Sequence, residues 1–263
     1  MIPERALNAA LLALLVLGPL AAVWAGEVFT VTLATRAVIF AIAAAGLNIA
    51  LGLGGLVSLG HAVFFGIGGY AMGILAFHAQ TFTPLIDGLV TIPGTKSMLV
   101  IWLVAVVTSA LAAALIGLLS LRTSGVYFIM ITLAFGQMFY YFAISWPAYG
   151  GEDGLSIWVR NDFPGLNTLD PIQFYFLCLA ILLAVLWLTA RLARAPFGLA
   201  LNAARQVPAR VEAVGLDPFR LKLAAFTLSG AITGLAGALF ADLNRFVSPT
   251  MFSWQMSGEI VIF

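Results

Sequence analysis

Apolar residues in this chain fall in long unbroken runs, separated by short polar or glycine-rich segments. Runs at 6–24, 37–53, 61–79, 98–121, 126–146, 172–189 and 223–241 are close to the roughly twenty residues that cross a bilayer as a helix. An eighth run opens at Glu259 and stops at Phe263. The pattern therefore predicts an all-α, polytopic transmembrane bundle of about seven spans plus a truncated eighth, with further C-terminal helix expected beyond Phe263. The whole of 1–263 reads as one membrane domain. The first run is longer than the roughly 7 to 15 residues of a cleavable signal core, so it reads as an uncleaved helix.

Within the runs, polar and small residues set the detail. Residues 27–35 mix Thr with Phe, Val and Leu ahead of Arg36, which reads as an interfacial lead-in to a span starting near Arg36. Residues 46–73 hold nine of the twenty-six glycines. Glycine weakens a helix and admits close backbone contact, so 52–60 is expected to be a break or re-entrant turn. Gly69 and Gly73, four apart, predict a small-residue face for a neighbouring helix, and Gly230 and Gly234 predict another. Asn48, Ser58, His61 and Gln137, with Thr132, are the polar residues placed to meet a solute. Interhelical hydrogen bonding is the competing reading of each.

Composition excludes a soluble fold. The chain is 62% hydrophobic and 9% charged, whereas soluble domains carry roughly 25% charged residues. No metal-ligand cluster or paired intramembrane carboxylate is evident, so no metal, no cofactor and no catalytic residue is expected. The formal net charge of +1 gives no reason to expect nucleic acid. Charge is sided instead. With the N-terminus inside, eight of the twelve Lys and Arg residues fall on the inner side and three outside. That asymmetry predicts a cytoplasmic N-terminus.

Six of those twelve residues lie in 191–222, between two spans. Leu199, Ala203 and Val207 recur at helical spacing, Pro208 opens a second short helix, and Gly215 stops it. Asp217-Pro218 then reads as the cap and first position of the next helix. Arg205, Glu212-Ala213-x-Gly215 and 222–226 resemble the cytoplasmic coupling loop of branched-chain amino-acid ABC importer permeases of the LivM type. Ser58-Leu59-Gly60-His61, the run 124–137 and the Gly150-Gly151-x-x-Gly154-Leu155 turn resemble the same family. One departure lies in the loop, where Arg210-Val211 replaces the family's usual pair of alanines.

The resemblance implies a non-enzymatic transport subunit of a bacterial inner membrane complex. Its partners would be a second homologous permease, two cytoplasmic ATPase subunits and a periplasmic substrate-binding protein. It also implies that Arg205, Glu212, Ala213 and Gly215 belong to the surface gripped by an ATPase. Two other readings stay open: a permease for urea, a short amide or another small solute, and a stand-alone channel or facilitator.

Overall fold

The structure, a computed structural model, describes residues 4–24, 26–86, 92–158, 160–165 and 167–263. Asp87, in the outer loop expected from the sequence, lies outside them. The helices are α1 (Glu4–Trp24), α2 (Val28–Asn48), α3 (His61–Thr81), α4 (Met98–Ser120) and α5 (Val126–Ile144), then α6 (Pro171–Arg194), α7 (Pro196–Gln206), α8 (Pro208–Ala213), α9 (Pro218–Asn244) and α10 (Trp254–Ile262). Two short antiparallel ribbons accompany them: β1 (Pro84–Ile86) with β2 (Ile92–Pro93), and β3 (Leu155–Ser156) with β4 (Phe246–Val247).

Six helices among the described residues are long and apolar enough to cross a membrane: Val28–Leu53, α3, α4, α5, α6 and α9. The sequence pattern predicts seven. The seventh expected span corresponds to α1, which is helical over Glu4–Trp24 and enters that count only from Ala13. The expected lead-in before Arg36 also differs. It is no separate segment, because α2 begins at Val28 and runs through Arg36 without interruption. Arg36 sits where the Phe40 and Phe240 rings can take its cation, at 5.7 and 5.5 Å. Phe240 is four residues from the end of α9, so Arg36 does lie near one end of the bundle.

Helices α3 and α9 form the centre. Over their most apolar stretches 67% of α3 and 72% of α9 is buried, against 28% of α4 and 22% of α5 and of α6. The outer helices turn leucine and valine outward. On α4 the row Leu103, Val107, Leu111, Leu115 and Leu119 repeats every four residues and is exposed throughout, as expected of a face meeting lipid.

The centre closes through glycine. A Cβ on Gly68 would land on the Gly234 carbonyl, and one on Gly237 on the Phe65 carbonyl, both across the α3–α9 contact. Gly230 faces Ala113 and Phe64, while Gly234 also faces Ser109 of α4. Gly69 and Gly73 line a further face of α3. A Cβ on Gly69 would meet Met251 and lie 3.5 Å from the Gly237 carbonyl of α9, and one on Gly73 would meet Val247, both side chains belonging to the chain that follows α9.

Gly68→Leu should therefore abolish assembly, because the obstacle is backbone that cannot step aside. Gly69→Ala overlaps only the flexible end of Met251, with the Gly237 carbonyl at ordinary contact distance, and should cost at most about 1–3 kcal/mol. Val100→Leu, on the exposed face of α4, should be silent. Monodisperse yield and thermal midpoint in detergent measure all three.

Candidate functional site

The segment joining α6 to α9 folds as its local sequence dictates. Ala195 is extended, Pro196 takes the first position of α7, and Pro208 does the same for α8. The buried row of α7 is Gly198, Leu201 and Ala204. The Leu199, Ala203 and Val207 row points outward instead. Helix α8 buries only Val211. It ends with Gly215 N–H donating to the Glu212 carbonyl at 2.9 Å and Leu216 N–H to the Val211 carbonyl at 3.1 Å. This is a Schellman ending, and Gly215 supplies the φ of +88° it requires. Asp217 then caps α9 by accepting from Phe219 N–H at 2.9 Å. Glu212, Ala213 and Gly215 are all exposed, and Leu199, Val214 and Leu216 are exposed apolar side chains of the same segment.

Arg205 is placed differently from those three. Its Nη1 donates to the Gly52 carbonyl at 2.6 Å, and its methylene stem lies over Gly55. Gly52 belongs to the break foreseen in 52–60. There α2 widens into a π-helical turn, Ile49–Leu53, and then unwinds, with Gly55 at φ +69°. The chain stays non-helical to Gly60, which abuts the backbone of Thr132 on α5. A pocket of about 170 Å³ separates this break from Thr123, Gly125, Phe128 and Lys222. The loop and the break are thus one structure, joined by a guanidinium.

The other four polar candidates are not brought together. Asn48 is exposed at the break, with its amide oxygen beside Gly52. Ser58 is buried and accepts from Gly60 N–H at 3.2 Å. His61 is fully buried, shares a hydrogen with Ser229 Oγ at 2.8 Å, and is flanked edge-on by Phe64 and Phe226. His61 thus joins α3 to α9, while the Ser58 bond is local to the break. Gln137 stands apart on α5, half-exposed, in a second pocket. Among the described residues no three His, Cys, Asp or Glu side chains cluster as a metal site would need.

A family model described as "Branched-chain amino acid transport system / permease component" matches residues 29–263. This chain belongs to that family. The permease is similar to a protein of Escherichia coli (strain K12) described as the high-affinity branched-chain amino acid transport system permease protein LivM. The two are 31% identical over 257 residues, 88% of this chain and 57% of the relative. A protein of the same description from Salmonella typhimurium (strain LT2) is 32% identical over 260 residues, with the same coverage. The chain thus spans little more than half the length of these curated relatives. No solved structure matches it. Family membership makes the permease a multi-pass transport component and not a catalyst.

Sequence reasoning missed a second cluster, at the far end of the permease. Asp242, just past the predicted run 223–241, lies inside α9 and is buried. Its Oδ1 accepts from Asn161 Nδ2 at 2.9 Å. Arg160 lies over the Phe174 ring at 4.6 Å and donates from Nη1 to the Thr168 carbonyl. Burial pulls the Arg160 guanidinium below its ordinary pKa, and the Asp242 carboxylate draws it back up. The cluster ties the segment 160–168 to α6 and α9. Its partners are 81 residues apart in sequence, so no local pattern announces it.

Removing the Arg205 guanidinium should loosen the break without unfolding the bundle. Arg205→Ala deletes a charge-assisted bond worth about 1 kcal/mol at a partly exposed site. Amide hydrogen exchange in a peptide covering 49–57 should speed up several-fold, while α9 peptides keep their protection.

Proposed function

We propose that this permease carries branched-chain amino acids across a bacterial inner membrane as one subunit of an ABC importer. In this reading the whole of 1–263 is a single transmembrane domain. A second homologous permease completes the pathway, a periplasmic protein delivers the solute, and two cytoplasmic ATPases supply the energy. The observation that carries the proposal is the 191–222 loop. It presents Glu212, Ala213, Val214 and Gly215 outward on a short, sharply ended helix, and reaches the helix break through Arg205. A merely solvated linker has no need of exposed Leu199, Val214 and Leu216, whereas a surface gripped by another protein does.

The mechanism is mechanical. Closure of the ATPases on nucleotide displaces α7 and α8 together, since Val207 alone separates them. Arg205 passes the displacement to Gly52, and the non-helical stretch to Gly60 delivers it to α5 at Thr132. Glu212 and Ala213 act as the contact surface, and Gly215 keeps its shape. Arg205 works on the inner side of that surface and transmits instead of gripping. The similarity to proteins described as branched-chain amino acid permeases supports the choice of solute.

Orientation and coupling are each open to test. In the charge-derived topology the 191–222 loop is cytoplasmic and the Gly150–Gly154 turn periplasmic. Cysteine at Glu152 should react with an impermeant thiol reagent in intact cells, and cysteine at Arg210 only after permeabilisation. The native Cys178 is buried and gives a quiet background. The reverse labelling would overturn the orientation.

A Cβ on Gly215 meets no neighbour within 4 Å, so a side chain there strains only the local backbone and the exposed surface. Gly215→Glu should insert and pair normally, yet lose most binding-protein-stimulated ATP hydrolysis and uptake. A strain of about 1–2 kcal/mol at the helix end would leave the bundle folded. Undiminished uptake in Gly215→Glu would mean the loop is solvated sequence and nothing grips it.

A further inference from the structure

After α9 the chain turns back into the bundle along α3. Val247 lies against Gly73, Met251 against Gly69 and Phe252 against Gly66, while Ser257 Oγ accepts from Ala62 N–H at 2.9 Å. The turn Pro249–Phe252 and the start of α10 therefore sit beside the first third of α3. The nearby Gly68–Gly234 contact is ten residues from the end of α9, about 15 Å along that helix. Between α9 and α10 the chain is a two-residue strand and a single 3-10 turn, backbone that is not α-helical yet lies well inside the span. Such backbone survives there only where protein or a water-filled cavity supports it.

Between this segment and α5 an open pocket of about 370 Å³ is lined by Gln137, Tyr140, Thr250, Ser253, Trp254 and Gln255. Small-molecule sites begin at about this size. All six lining side chains carry a hydrogen-bonding group and none carries a charge. The amides of Gln137 and Gln255 have no hydrogen-bond partner among the described residues. Lipid offers no donor or acceptor at that depth, so these amides must meet water, solute or protein.

We propose that this pocket is a solute station on the transport path, built for a small net-neutral molecule carrying both charges, a zwitterionic α-amino acid. The proposal rests on the amino-acid reading above. Amide N–H and hydroxyl groups suit a carboxylate. Amide oxygens and the indole face of Trp254 suit an ammonium, and the Tyr140 ring suits an aliphatic side chain. The absence of a fixed charge leaves a solute of net charge uncompensated at membrane depth, which selects against it. Of the residues singled out from sequence, Gln137 alone belongs to this station.

The test uses the complete transporter in proteoliposomes, with radiolabelled leucine as probe. Gln137→Leu and Gln255→Leu should each lower the maximal rate about tenfold or more, the effect of losing a hydrogen bond to a charged group. Gln137→Asn should restore part of the rate, and Val100→Leu should match the unmodified protein. Cysteine at Thr250 should be labelled by a thiol reagent more slowly when leucine is present. Normal leucine movement through both Leu variants would overturn the station while leaving the importer reading intact. Loss of the second permease on purification of Gln137→Leu would also overturn it, marking the pocket as a subunit contact. An unmodified transporter that moves no leucine would instead overturn the amino-acid reading and, with it, the zwitterion assignment.

Discussion

The backbone approach of α3 to α9, at Gly68 with Gly234 and at Phe65 with Gly237, is the contact on which the rest of the bundle depends. Lipid tails are as apolar as leucine, so helices in a membrane gain little by hiding leucine from them. Close packing and polar contacts must hold them instead. Both follow from the glycines. With the backbones this near, Ser109 Oγ reaches the Phe64 carbonyl at 3.2 Å and His61 reaches Ser229 at 2.8 Å. Neither bond survives if α3 stands off by the width of a methyl group. A histidine at the start of α3 is thus part of the fastening.

What could be read in the sequence was local, and what could not was long-range. The 191–222 segment was legible in detail because Pro196, Pro208, Gly215 and Asp217-Pro218 each act on their own few residues. The break at 52–60 was legible for the same reason. Glycine spacing foretold close packing on α3, but not that the tightest approach falls on Gly68. Gly68 and Gly69 are neighbours in sequence yet about 100° apart around the helix, so a Cβ on Gly68 would land on α9 backbone while one on Gly69 would land first on the Met251 side chain. The chain after α9 looked like a short loop because its partner surface, the Gly66, Gly69 and Gly73 row, lies some 180 residues earlier. Nothing near Asp242 in sequence reveals its partner Asn161. Of the polar candidates, composition could name Asn48, Ser58, His61 and Gln137. Only the packing separates His61, which fastens helices, from Asn48 and Ser58 at the break and Gln137 at the pocket.

The same packing divides the molecule into a part that resists motion and a part that permits it. Helix α3 spends one face on α9 and another on irregular chain, so moving it would break both sets of contacts at once. Helix α5 is differently placed. It meets Gly60 at one level and the Phe252 region at another, and most of its remaining surface is open. Elements that move are drawn from the less tightly held parts of a fold. A π-helical turn adjoins it through the break, and such turns are a common place for a helix to shift its hydrogen-bond register. Gly52 lies within that turn, and its carbonyl is the atom held by Arg205. A pull on α7 therefore meets the most deformable backbone in the bundle before it meets any rigid helix. In the importer reading, this order of contacts confines the motion to α5 and the pocket beside it, and α3, α4 and α9 keep the membrane sealed.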